Sequence, residues 1–143
     1  MRLIKDFVPA VEKVEVVPQE MERVFLNLFN NAFYAVQQRQ EQAVQGYVPE
    51  VRVSTRQLES RVEVRVRDNG TGIAVNLKNK FFQPFFTTKP SGEGTGLGLS
   101  LSYNIITKGH GGKLQVETEK DEYAEFSISL PVRDLVAADE AAV

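Results

Sequence analysis

Asn27 and Asn31 stand four residues apart in the run Leu26-Asn27-Leu28-Phe29-Asn30-Asn31-Ala32. In a helix that spacing puts both amides on one face, roughly a turn apart, and sends Asn30 elsewhere. Asparagine is poor helix filler, and an amide among apolar neighbours costs stability until it finds a partner. Two uses fit: a hydrogen bond to a neighbouring loop, or a carbonyl oxygen at Asn31 offered to Mg²⁺, which takes few protein ligands and keeps water and phosphate oxygens for the rest. A second stretch with chemical potential is Arg67-Asp68-Asn69-Gly70-Thr71-Gly72-Ile73. Asp68 can accept a hydrogen bond from an exocyclic amine, while Gly70 and Gly72 permit positive φ and close approach to a planar base. A tight turn explains the same residues.

Two further stretches carry similar potential. Gly92-Glu93-Gly94-Thr95-Gly96-Leu97-Gly98-Leu99-Ser100 runs directly into an apolar segment. Bare amides opening a helix make an anion site suited to polyphosphate. The spacing closes neither a Gly-x-Gly-x-x-Gly register nor a P-loop, and a flexible linker is the alternative, which Leu97, Leu99 and Leu101 oppose. Just before it, Lys80-Phe81-Phe82-Gln83-Pro84-Phe85-Phe86-Thr87-Thr88-Lys89 sets phenylalanines beside the loop, either as core or as a patch for a partner helix. Lys80 and Lys89 are either solvated or reach phosphates as point charges.

These segments need a scaffold, and the periodicities supply one. Met21, Val24, Phe25, Leu28, Ala32, Ala35 and Val36 recur at helical steps after Pro18, which suits a first helical position, and Gly46 with Pro49 ends the run. Strands are expected over residues 3–8 and 13–17, separated by the turn Pro9-Ala10. Alternation over residues 51–56 and 61–67 predicts an antiparallel hairpin closed near residues 58–60, with one apolar and one charged face. A short helix is expected after Gly72, a mobile loop over residues 83–96, a helix over residues 97–107 ended by residues 109–112, and strands over residues 113–118 and 125–130. The expected fold is an α/β (α+β) two-layer sandwich, its mixed, largely antiparallel sheet covered on one face by about three helices. Residues 1–133 form one domain in this reading, and residues 134–143 a disordered tail.

Composition narrows the function classes. The 143 residues are 42% hydrophobic and 25% charged, the balance of a globular domain, and the net charge of -2 provides no field for nucleic acid or anionic membrane. Cysteine is absent, which excludes disulfides and thiolate chemistry. Charges interrupt every apolar stretch before the ~20 residues of a membrane helix, so the expected location is the cytoplasm, although a longer parent could be membrane-anchored.

The order of the four segments resembles that of the GHKL ATPase/kinase superfamily, most closely the catalytic domains of two-component sensor histidine kinases. Residues 26–32 look like the N box, 68–72 like the G1 box, 82–89 like the F box and 94–99 like the G2 box, within a similarity covering residues 3–131. The resemblance implies ATP and Mg²⁺ as cofactors and residues 83–96 as a flexible ATP lid. By it, Asn31 ligates Mg²⁺ and Asn27 helps place metal or phosphates. Asp68 binds the adenine amino group, with Gly70, Gly72 and Ile73 at the base. The amides of Gly94, Thr95, Gly96, Leu97 and Gly98 hold phosphates, Thr88 and Leu99 are further cofactor-binding positions, and Lys89 joins Asn27 and Asn31 as a catalytic group. Phe85 and Phe86 match the segment facing the histidine-bearing helices.

Members that hydrolyse ATP commonly carry glutamate four residues before the metal asparagine. Here an amide, Asn27, stands there and cannot take a proton, which favours transfer to a histidine over activation of water. The implied function is transfer of the ATP γ-phosphoryl group to a histidine on a separate dimerisation and phospho-acceptor domain, with a response regulator downstream and this chain a monomer. A self-sufficient ATPase and a non-enzymatic nucleotide-sensing module are the alternatives. Two departures stand out: Ala124 replaces a usual threonine, and the single histidine, His110, lies at a helix-to-strand corner suited to a structural role.

Overall fold

Two periods build two layers. In the computed structural model the described residues are 2–6, 16–42, 45–73 and 98–132. They form β1 (Arg2–Asp6), α1 (Pro18–Glu41), β2 (Glu50–Gln57), β3 (Arg61–Asp68), α2 (Gly98–Asn104) with a π-helical turn (Ile105–Gly109), β4 (Lys113–Glu119) and β5 (Tyr123–Pro131). The sheet order is β1-β2-β3-β5-β4. β1 runs parallel to β2 because α1 crosses between them, and the other pairs are antiparallel.

Period 3.6 turns Met21, Val24, Leu28, Ala32 and Val36 to one side of α1, where they are buried. Period 2 turns Val51, Val53, Val62, Val66, Leu114, Val116, Phe126, Ile128 and Leu130 toward the helices, and Ile105 and Ile106 of the π turn close the core. Leu28 is fully buried, so its truncation to alanine costs roughly 2–5 kcal/mol. The opposite face carries charge: Arg65 pairs with Glu63 and Glu125, and Arg67 with Glu125 while lying over the Tyr123 ring.

A single register row joins the strands at one end of the sheet. Leu3, Val51, Asp68, Ala124 and Thr118 align there across all five, with Asp68 at the carboxyl end of β3. The alternation of β3 makes Asp68 a charge in the helix-facing layer.

α1 starts at Pro18 as expected and is preceded by Val17 as N-cap. The strand expected over residues 13–17 is not formed at Val16 and Val17, because Val17 already accepts the first helical bond from the Met21 N–H; residues 13–15 lie outside the described residues. Two helices, rather than about three, cover the sheet among the described residues. The short helix after Gly72, the loop over residues 83–96 and the tail over residues 134–143 lie outside them. Residues 105–107, expected to be α-helical, open the π turn instead.

Candidate functional site

Asp68 is 3% exposed, between Val51 and Ala124 on the neighbouring strands. Among the described residues one donor meets its side chain, the Gly70 N–H, at 2.9 Å from Oδ1. Burial pushes the carboxyl up to about 7, against the Gly70 N–H and the Arg67 guanidinium, which both favour the charged form. A buried carboxylate with acceptor capacity to spare and apolar flanks suits a ligand that brings its own N–H donor. Ile73 is buried, and its N–H donates to Thr118 Oγ1 at 2.8 Å; that hydroxyl donates in turn to the Tyr123 carbonyl.

The two glycines of this turn differ in purpose. Gly72 has the positive φ expected of it, 64°, and a Cβ there would overlap the Glu119 carbonyl. Gly70 is not in the left-handed region: its missing side chain admits the Ala35 backbone of α1, which a Cβ would strike. Close approach of a neighbouring helix, rather than turn geometry, requires glycine at that position.

Asn27 lies on the α2 side of α1. Its Nδ2 donates to the Gly98 carbonyl and to Ser102 Oγ, both at 3.1 Å, while the Ser102 hydroxyl donates to the same Gly98 carbonyl at 2.8 Å. The amide nitrogen therefore fixes the first turn of α2. Asn31 is half-buried one turn further on, and among the described residues no hydrogen bond engages its amide. Leu99 packs against the core as a partly buried residue. Thr88, Lys89, Gly94, Thr95, Gly96 and Leu97 lie outside the described residues, so Asn27, Gly98 and Leu99 form one described end of the site and Asp68, Gly70, Gly72 and Ile73 the other.

His110 is a structural residue here. Its Nε2 accepts the Val17 N–H at 2.9 Å, which makes Nδ1 the protonated nitrogen that donates to the Ile105 carbonyl at 3.0 Å. The ring, just past the π turn, ties the residue before α1 to the first residue of that turn.

Three contributors escaped the sequence reading: Arg39, Tyr47 and the side chain of Asn69. Arg39 Nη1 reaches the carbonyls of Asn69, Gly70 and Glu122, and Tyr47 Oη donates to Asn69 Oδ1 at 3.1 Å. A signal existed for Arg39, which follows Val36 by three residues and puts a cation in line with the apolar positions of α1.

A buried carboxylate at a strand's end, a glycine turn pressed on a long helix and a second helix pinned by an asparagine make a candidate ligand site on a two-layer sandwich. Comparison gives the family. Residues 16–134 match the model of the histidine kinase-, DNA gyrase B- and HSP90-like ATPases, and the chain belongs to that family, whose domain binds nucleotide. Its relatives place it with the histidine-kinase catalytic domains. It is 34% identical over 120 residues to the sensor histidine kinase ZraS of Escherichia coli strain K12, covering 84% of this chain and 23% of that protein. The signal transduction histidine-protein kinase AtoS of the same strain is 38% identical over 113 residues, covering 78% and 17%. The nucleotide-free catalytic domain of the histidine kinase ThkA superposes with a TM-score of 0.74 at 30% identity, covering 91% of this chain and 79% of that one. The chain thus spans less than a quarter of the length of these curated relatives.

Proposed function

We propose that this chain binds Mg-ATP and passes its γ-phosphoryl group to a histidine on a separate helical domain, in a two-component relay with a response regulator downstream. The observation that carries the reading is the Asp68 carboxylate, buried between apolar neighbours with one described donor, a fit for the amino group of adenine. Gly70, Gly72 and Ile73 shape the surroundings of that carboxylate. By family likeness, Asn31 offers a carbonyl oxygen to Mg²⁺ and Lys89, Thr88 and residues 94–98 hold the phosphates. The metal, when bound, neutralises phosphate charge. Asn27 contributes by holding α2 in place, with its nitrogen committed to Gly98 and Ser102 and its oxygen a second candidate toward the metal.

An amide at position 27 has no proton-accepting capacity at neutral pH, and a histidine nucleophile needs little help since its ring nitrogen already carries a lone pair. The chain would work as a monomer in the cytoplasm on an acceptor domain of a longer parent or of another chain. No helix among the described residues is long and apolar enough to cross a membrane.

The test mixes the chain with separately produced acceptor-histidine domains of sensor kinases, Mg²⁺ and γ-labelled ATP. Label in the acceptor that is acid-labile and lost with Asn31→Ala supports the proposal. Steady phosphate release with no labelled histidine would overturn it in favour of an ATPase.

A further inference from the structure

The turn after Asp68 is held from behind by a network that the phosphoryl-transfer reading leaves unused. Arg39 Nη1 lies 3.0 Å from the Asn69 carbonyl, 3.2 Å from that of Gly70 and 3.3 Å from that of Glu122. Its guanidinium sits 4.8 Å from the centre of the Tyr47 ring. Asn69 is fastened on every polar atom of its side chain: Oδ1 accepts from Tyr47 Oη and, at 2.8 Å, from the Glu50 N–H, while Nδ2 donates to the Val48 carbonyl at 2.8 Å. The Asn69 N–H donates to the Glu50 carbonyl.

The peptide unit joining Asn69 to Gly70 is engaged at both ends. Its carbonyl accepts from the Arg39 cation, and its N–H donates to Asp68 Oδ1. A charged donor on a carbonyl is stronger than a neutral one and polarises the peptide, which makes the N–H at the other end a better donor. The link from Arg39 to the carboxylate is therefore a chain of two hydrogen bonds through one planar group.

We propose that Arg39 is a positioning residue for base selection: it fixes the Asn69-Gly70 peptide that aims the Asp68 carboxylate, so preference for a 6-amino purine depends on an arginine acting through the backbone. The proposal rests on the nucleotide reading above and deepens it. Tyr47 supports the arrangement without titrating near neutrality, since burial raises its phenol, with Asp68 adding to the rise and Arg39 opposing it. Arg67 is the remaining charge that Asp68 senses, from its own strand.

One nitrogen serving three carbonyls also says which substitutions discriminate. Nη1 carries two hydrogens and must share them, whereas a lysine ammonium carries three. Lysine can therefore replace the function in part, and methionine, which is of similar reach and has no donor, cannot.

The experiment titrates Mg-ATP and Mg-ITP, which differ in the amino or oxo group at position 6, into the full chain and into Arg39→Met, Arg39→Lys and Tyr47→Phe, with melting temperatures recorded alongside. Arg39→Met should weaken ATP by about tenfold or more, the size of a charge-assisted hydrogen bond, and leave ITP within about twofold. Arg39→Lys should restore most of the ATP preference. Tyr47→Phe keeps the ring over the guanidinium and loses one bond to Asn69, so it should fall between; it and the lysine variant decide the matter if the methionine variant does not fold. Equal weakening of both nucleotides, or a lower melting temperature with the ATP-to-ITP ratio unchanged, overturns the proposal. Wild-type chain that binds neither nucleotide removes the site reading itself, whereas a wild-type preference that survives in all variants removes only the role of Arg39.

Discussion

α1 meets the candidate site at two places that are held differently. Near its C-terminal end the turn over Asp68 to Gly70 is pressed against Ala35 and bonded at two of its carbonyls by Arg39, which also reaches the Glu122 carbonyl, with Tyr47 and the Asn69 side chain behind it. Near its middle, the start of α2 is held by one side-chain nitrogen, that of Asn27. The first arrangement fixes the shape of a turn, and the second fixes the position of a helix start. On the proposed function, base selection would fall to the first place and phosphate binding to the side of the second.

Asp68→Asn should break the base end most severely. Loss of the charged acceptor should lower ATP affinity by about a hundredfold or more, because the adenine amine then meets an amide that also carries its own donors. Stability should move the other way. The folded carboxyl is raised to about 7 from 3.8, so between those values the folded state binds more proton than the unfolded state. The wild type should therefore lose stability as pH rises from about 4 to about 7, by a few kcal/mol in all, and stay lower above that; the asparagine variant should lack the slope. Urea unfolding of both proteins across pH 4 to 8 checks the sign. ATP binding to the wild type should strengthen as pH rises through about 7 and release protons below it, which calorimetry in buffers of different ionisation enthalpy measures.

The glycines at the same end test shape rather than charge. Gly72→Ala forces a side chain into positive φ and against the Glu119 carbonyl, and should cost about 2–4 kcal/mol in chemical denaturation. Gly70→Ala should cost a similar amount through Ala35 although its φ is ordinary, and D-alanine at the two positions separates the causes. A D-residue relieves φ strain at Gly72 and offers no such relief at Gly70.

At the other end the effect should be smaller. Asn27→Ala removes two hydrogen bonds and should cost about 1–2 kcal/mol, seen as faster exchange of the α2 amides. Asn27→Asp should cost more than alanine, since a carboxylate would face the Gly98 carbonyl with no donor. Equal losses for the two would mean that α2 is positioned by something other than this amide.

What the sequence disclosed tracks the range of the interactions. α1 and the β2–β3 hairpin were legible because their periods are local, and Asp68 because a charge closes an alternating apolar strand. Asn27 was legible as a residue of interest but its role was not, since Gly98 and Ser102 lie 71 and 75 residues away. Arg39 serves carbonyls 30, 31 and 83 residues distant, and carbonyls leave no trace in residue types. At Gly70 the expected positive φ is absent and the Ala35 backbone explains the glycine instead, because no local rule registers a helix backbone arriving from residue 35. The π turn at Ile105–Gly109 has the same apolar spacing as the α-helix it replaces.

The smallest expected effect concerns the neighbour of Asp68 on β5. Ala124 aligns with Asp68 on one side and Thr118 on the other, and its small side chain makes it the place in that row where a hydroxyl could be introduced beside the carboxylate. The Thr118 hydroxyl is already spent, accepting from Ile73 and donating to Tyr123. Ala124→Thr adds a β-branched residue suited to a strand and a donor to Asp68, which favours the charged carboxylate. The pH at which ATP binding strengthens should move below 7, and affinity at neutral pH should improve by a few-fold, the worth of one neutral hydrogen bond. Ala124→Val carries the same branching without the donor. If valine shifts the pH profile as threonine does, the effect belongs to packing around Asp68; if only threonine does, the base end of the site is set by hydrogen bonding to that carboxylate, as its brace from Arg39 requires.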